Sequence, residues 1–394
     1  MSNLNRRNLL GRLALGAGGL AAAQSAAAAG DGHAAGYDVA PGPGLATMLR
    51  RPGGPVRFTF ALDAAPAKAA SGGWAREVTA RSLPLATGIA GAHLFLNPGG
   101  AREMHWHATA DEWAYVLAGQ CQVVVLDPAG EVEVANLGPG DLWHFPRGHA
   151  HSIQTLGTAP CHAILAFNDG LYSEHGTFGL SDWLSQSDPA LLAQVFGVPA
   201  AVFAACPPGE TYIMQGPVVP ADGPEAAEAG PFPPERTHRH RLMERPAYRM
   251  LPGGTLHVAS AEEFPRSANM TAVATRLRPG AVHELHWHPN ASEWHYVARG
   301  RTRVTLFGAD KHLAVADMQA GDCAFIPQGW GHSVQNTGAE PCEVVGVLDA
   351  GAYQESSLTE WVAGAPLHVL TNNLTLPGDV LDAFPKRKVD IQAP

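Results

Sequence analysis

Two stretches of this chain, 181 positions apart, are near copies: EMHWHATADEWAYVLAG from Glu103 and ELHWHPNASEWHYVARG from Glu284. Each holds two histidines one residue apart, a glutamate five residues on, and a closing glycine. His105 and His286, His107 and His288, Glu112 and Glu293, and His151 and His332 all share the 181-residue offset. Gly119 and Gly300 share it, as do Gly140 and Gly321. An offset that stays constant from the first histidine to the last leaves no net insertion, so the chain is one unit copied. At 394 residues it is long enough for two domains and a separate leader.

The texture within each copy is β. AYVLAGQCQVVVLD and HYVARGRTRVTLFG are short runs of β-branched and aromatic residues broken by glycine. GPGDLWHFPRGHAHSIQTLG and AGDCAFIPQGWGHSVQNTG read as strand–turn–strand. Many short strands at regular spacing, with 44 glycines and 32 prolines, predict a jelly roll in each half. A few short helices follow the barrels: SDWLSQSDPALLAQVFG, with Ser181 as a possible N-cap, and SSLTEWVAGAP near 356. The expected layout is a leader over 1–29, an N-terminal arm over 30–54 and a first domain over 55–215. A Pro/Gly/Ala-rich linker over 216–245, a second domain over 246–385 and a tail over 386–394 complete it.

On a strand, residues i and i+2 share a face, so His105 converges with His107 and His286 with His288. Paired imidazoles are good ligands for a transition metal. Glu112 and His151 can reach the first pair from other strands, and Glu293 and His332 the second. Three neutral nitrogens and a carboxylate leave coordination positions open, which suits a site that takes substrate or oxygen. The residues alone also suit iron, zinc or nickel.

GGAREMHWHATADEWAYVLAG and GDLWHFPRGHAH fit the two motifs of the cupin family, and the second half fits both again from Gly280 to Asn336. The chain resembles a bicupin, and over positions 55–385 it is similar to the oxalate decarboxylases, most of all in GDLWHFPRGHAHSIQ and the segment 169–184. The resemblance implies an all-β chain of two tandem cupin domains, each a jelly-roll double-stranded β-helix. It also implies Mn(II), two ions per chain, and dioxygen as a redox cofactor not consumed overall. The activity implied is conversion of oxalate to formate and carbon dioxide at the first site. Arg102 maps to the residue that binds the substrate carboxylate, and Glu174 to the acid/base on a mobile lid. Tyr353, Asp310 and His312 map to second-domain positions that support the first site. A homo-oligomer, trimer or hexamer, is implied as well. Arg102 stands an odd number of residues before His105, so regular alternation would point it away and a bulge is required.

The copies differ. His283 stands where the first has Arg102, and Gly346 takes the place of the family's second-site glutamate. A largely neutral histidine is a poor substitute for a permanent cation, which assigns catalysis to the first site and metal binding to the second. The lid reads Ser173-Glu174-His175-Gly176, where the family lid typically has Ser-Glu-Asn-Ser, so His175 is a second possible proton carrier. Two alternatives follow: an oxalate oxidase releasing hydrogen peroxide and carbon dioxide, or a metal-binding bicupin with no activity.

Composition narrows the rest. A formal charge of −10 argues against a nucleic-acid binder. Arg6-Arg7, an apolar Gly/Ala-rich run and small residues near Ala29 predict a twin-arginine-type export signal, and so a periplasmic or extracellular protein with no membrane attachment after cleavage. Cleavage there removes Arg6, Arg7 and Arg12 and no acid, taking the charge from −10 to −13. Five cysteines in an exported chain make disulfides possible with one left unpaired, while Cys161 and Cys342, at equivalent repeat positions, read as core thiols more than as partners.

Overall fold

The computed structural model describes residues 56–230, 233–309 and 312–394. The export signal, the whole N-terminal arm and Asp310 lie outside the described residues. Among the described residues the strands form four antiparallel sheets, two of seven and two of six strands, one of each size per copy. The alternation of apolar residues closes each pair of sheets face to face around its own interior.

In the first copy the seven-stranded sheet carries Glu112–Ala118 between Leu142–Phe145 and Cys161–Phe167. The opposing sheet carries Gly100–Trp106 beside Ala150–Leu156. In the second copy Glu293–Arg299 lies between Asp322–Ile326 and Cys342–Leu348, and Val282–Trp287 lies beside Gly331–Asn336. The expected all-β fold of two tandem cupin barrels is the one observed.

The two seven-stranded sheets pack against each other and share one core, which runs from Trp113, Tyr115 and Ile164 to Trp294, Tyr296 and Val345. A Cβ on Gly91 would lie 2.3 Å from the Trp294 ring, so glycine is what admits that indole. Tyr115 Oη donates to Glu343 Oε1 across the same seam at 2.8 Å.

Three short strands cross the expected domain boundaries. Thr59–Ala61 pairs with Asp322–Ile326, so the chain begins the first domain by edging a sheet of the second. Within the expected linker, Arg239–His240 pairs with Leu142–Phe145 of the first barrel. Within the expected tail, Ile391–Gln392 pairs with Val282–Trp287. Composition hid these short strands because an edge strand needs only one paired side and little apolar content.

Helices follow each barrel at Leu180–Gln186 and Leu358–Gly364. Ser181 is not an N-cap: Gly179 holds that position, and Ser181 Oγ donates to Glu103. Ser357 is the N-cap of the second helix, accepting from Glu360 N. All five cysteines are free, and Cys121, Cys161, Cys323 and Cys342 are buried.

Candidate metal centres

Each barrel encloses one four-residue set. His105, His107, Glu112 and His151 are all buried, and their ligand atoms lie within 4.8 Å of one another. His286, His288, Glu293 and His332 repeat the arrangement in the second barrel. In the first, Glu112 Oε2 lies 3.5 Å from His107 Nε2 and 3.6 Å from His151 Nε2. In the second, Glu293 Oε2 lies 3.1 Å from both His288 Nε2 and His332 Nε2.

The surroundings prepare these atoms for a cation. His105 Nδ1 donates to Glu103 O and His151 Nδ1 to His149 O, which leaves each Nε2 lone pair facing inward. His105 Nε2, His107 Nε2, His151 Nε2 and Glu112 Oε2 are buried with no hydrogen-bond partner. Four converging buried acceptors without a donor fit a divalent ion better than any packing role. Burial, then Arg102, His151 and His107, hold the His105 imidazole well below its usual range; burial, then His151 and Arg102, do the same for His107. Both are therefore neutral, the form that binds metal. In the second set burial would lower His288, but the Glu293 carboxylate outweighs it and raises that imidazole.

The outer oxygen of each glutamate is held differently. Trp143 Nε1 donates to Glu112 Oε1 at 2.7 Å, and His295 Nε2 meets Glu293 Oε1 at 2.7 Å. The repeat equivalents of Trp143 and His295 are Ala324 and Ala114, so donor and small residue have changed places between the copies. Gly346 makes room for the exchange, since a Cβ there would lie 2.7 Å from Glu293 Oε1 and 3.3 Å from the His295 ring.

A bulge brings Arg102 inward. His151 pairs with His105 and Ile153 with Arg102, so two residues of one strand, Glu103 and Met104, face one of the other, Ser152. The same slip puts His283 opposite Val334 and His286 opposite His332. Arg102 is fully buried. Its Nε donates to Glu174 Oε1 at 2.8 Å, its Nη2 to Thr177 Oγ1 at 2.8 Å and its Nη1 to Tyr212 O at 3.1 Å. The other Glu174 oxygen has no hydrogen-bond partner and lies 3.9 Å from His107 Nε2. Burial raises the Glu174 carboxyl above its ordinary range, with the Arg102 charge only partly opposing and Glu112 adding to the rise.

His175 turns away from the metal set: its Nδ1 lies 3.6 Å from Glu77 Oε1 and its Nε2 3.4 Å from Ala75 O. Both contacts are to the strand Gly73–Val78. Tyr353 donates to Glu355 at 2.5 Å beside the second centre, and His312 stacks on Trp330, so within this chain neither supports the first site.

The cupin family model matches residues 60–202 and 244–381, a domain in each half. The oxalate decarboxylase OxdC of Bacillus subtilis is 36% identical over 323 residues, covering 80% of this chain and 82% of the relative. A probable oxalate decarboxylase of Arthroderma benhamiae is 31% identical over 338 residues, covering 84% and 82%. The chain is a bicupin of the oxalate decarboxylase family. A structure reporting on the Mn(II) centres of the Bacillus subtilis oxalate decarboxylase superposes with a TM-score of 0.79 at 34% identity, covering 87% of this chain and 90% of that one.

Sequence reasoning missed several residues of this bicupin's two sites. Glu355 stands 181 positions after Glu174, so the offset itself could have found it. Lys388, which contacts Glu355, carried no such signal. Thr177 and Tyr212 bind Arg102 through contacts that only the fold creates.

Proposed function

We propose that this chain is a manganese-dependent oxalate decarboxylase, converting oxalate to formate and carbon dioxide at the first centre. The Arg102–Glu174 pair above the first ligand set carries the reading, because it places a fixed cation and a proton carrier beside one metal position. His105, His107, Glu112 and His151 would hold the catalytic ion, and the second set a second one. Manganese, with dioxygen as a redox cofactor that is not consumed overall, supplies the one-electron chemistry that weakens the carbon–carbon bond.

The residues of the chain do the rest. The Arg102 guanidinium neutralises and orients a substrate carboxylate through paired N–H donors. Glu174 takes the proton from monoprotonated oxalate and returns it to carbon once carbon dioxide has left. Its raised affinity for a proton suits an acid that must hold one between those events. Tyr172, at 5.0 Å between rings from His107, and Phe167 wall the site against water. A retained lid glutamate supports decarboxylation over oxidation to peroxide.

Two further readings belong here. We propose that the leader over 1–29 exports the protein by the twin-arginine route to the periplasm or beyond; retention of an Arg6→Lys/Arg7→Lys variant in the cytoplasm tests it. We also propose a homo-oligomer, a trimer or hexamer. Trp183, Trp361, Leu191 and Phe196 each leave half or more of their surface exposed on the helices, which supports self-association. Light scattering on the purified protein reads that mass directly. Among the described residues no helix is long and apolar enough to cross a membrane. Activity itself is tested by oxalate turnover with product analysis.

A further inference from the structure

Next to the first ligand set the two copies agree in backbone and differ in chemistry. His144 N donates to His238 O at 2.9 Å, and Phe325 N donates to Phe58 O at 2.8 Å, so these two pairs occupy equivalent places. The 181-residue offset adds Trp330 as the counterpart of His149 and Ala314 as that of Glu133. The second barrel fills this layer with Phe58, Phe325 and Trp330, all buried. The first puts His238, His144, His149 and Glu133 there, and they are buried as well. Apolar packing is enough for the fold at this place, so the polar set answers to something else.

Two of the imidazoles are arranged for a cation. Glu133 Oε2 accepts from His238 Nδ1 at 2.5 Å, and Glu133 Oε1 accepts from Thr237 Oγ1 at 2.6 Å. With its proton on Nδ1, His238 presents Nε2 as a lone pair, the carboxylate–histidine arrangement that backs metal ligands. That Nε2 is buried with no hydrogen-bond partner among the described residues. His149 is likewise buried with both ring nitrogens open. The Arg147 carbonyl attracts a proton to one of them, which leaves the other as a lone pair. The His149 and His238 rings lie 5.3 Å apart, as do those of the ligand pair His286 and His288, with His105 and His107 at 5.1 Å. His238 also lines a small crevice with Asp127, Glu131, Glu133, Arg236 and Arg266, where three carboxylates outnumber two guanidiniums.

We propose that His149 and His238 form a third metal position, outside both ligand sets, which takes a late first-row divalent ion of the zinc class. Two imidazole nitrogens suit such an ion better than manganese, which favours oxygen donors. Glu133 orients His238 and supplies negative charge, and water completes the coordination. The position borders the first centre, because His149 O accepts from His151 Nδ1 at 2.9 Å. An ion drawn to His149 thereby acts on the group that orients His151. Phe58 and Trp330 leave the second barrel without a counterpart.

Equilibrium dialysis of the Mn(II)-loaded protein against micromolar Zn(II), with both metals counted per chain, tests the assignment. One zinc per chain is expected, with manganese unchanged. His238→Phe copies what the second barrel has at the equivalent place, so the fold should tolerate it and the zinc should be lost. Glu133→Gln keeps the shape and weakens the backing of His238, and should lower zinc affinity by about 10–100-fold. X-ray absorption at the zinc edge of the unmodified protein should show two imidazoles with oxygen donors, which decides the point if neither variant folds. No zinc uptake, zinc bound only as manganese leaves, or undiminished zinc binding by His238→Phe would overturn it.

Discussion

Arg102 Nε donates to Glu174 Oε1 at 2.8 Å with both side chains buried, and the second carboxylate oxygen of Glu174 is left facing the first metal set. In the proposed reaction this one ion pair would supply the anchor for a substrate carboxylate and the proton carrier for the reacting carbon. The pair exists only because a bulge in Gly100–Trp106 turns Arg102 and His105 to the same side.

Removing either half of the pair separates these roles. Glu174→Gln keeps shape and loses the proton, and should lower kcat for formate release by about two to four orders of magnitude with little change in KM. Arg102→Lys keeps charge but loses the fork that meets Thr177 and Tyr212, and should raise KM as well. Steady-state kinetics of formate production separates the two outcomes.

The Trp143 indole fixes the outer oxygen of Glu112. Trp143→Phe keeps the packing and removes the donor, so metal affinity at the first centre should fall by about 10–100-fold while the second is unaffected. Competition with a Mn(II) indicator reads both sites.

Glu103 accepts from Ser181 Oγ, from Thr211 Oγ1 at 2.7 Å and from Tyr212 N at 3.3 Å. Those contacts clamp the segment whose Tyr212 O holds Arg102. Glu103→Ala strands three donors and should destabilise the chain by about 3 kcal/mol in urea unfolding, with a rise in KM for oxalate.

Burial, partly opposed by Asp111, lowers His144 to about 3; burial and then Arg245 lower His240 to about 4. An unfolded chain binds a proton at each near pH 6.5, so the folded state loses stability as pH falls from about 6.5 toward those values. Above 6.5 that stability is fully present. The His240 ring stacks on Phe264, so His240→Phe keeps the contact and removes the proton. Thermal unfolding of metal-free protein should therefore depend less on pH between about 6.5 and 4 in His240→Phe than in the unmodified chain.

Both metal sets were legible because a duplication writes the same ligands twice at one offset, and chance cannot imitate that. The jelly-roll texture was legible for the ordinary reason of alternation and turn residues. Arg102 was not legible from spacing, since a bulge has no signature in one sequence; the family resemblance supplied it. Glu355 is within reach of the offset, standing 181 positions after Glu174. Lys388 depends on a two-residue strand, Ile391–Gln392, whose pairing with Val282–Trp287 is a tertiary event. Ser181 has the residue type of an N-cap, but a buried carboxylate, Glu103, competes for its hydroxyl.

The central claim is that oxalate is cleaved to formate at a manganese centre governed by Arg102 and Glu174. Its most direct test is oxalate turnover by Mn(II)-loaded protein, with formate, carbon dioxide, dioxygen and hydrogen peroxide followed together. The account predicts formate and carbon dioxide in equal amounts, a requirement for dioxygen and no net dioxygen consumption. Hydrogen peroxide with two carbon dioxide per oxalate, or no turnover by fully loaded protein, would contradict it.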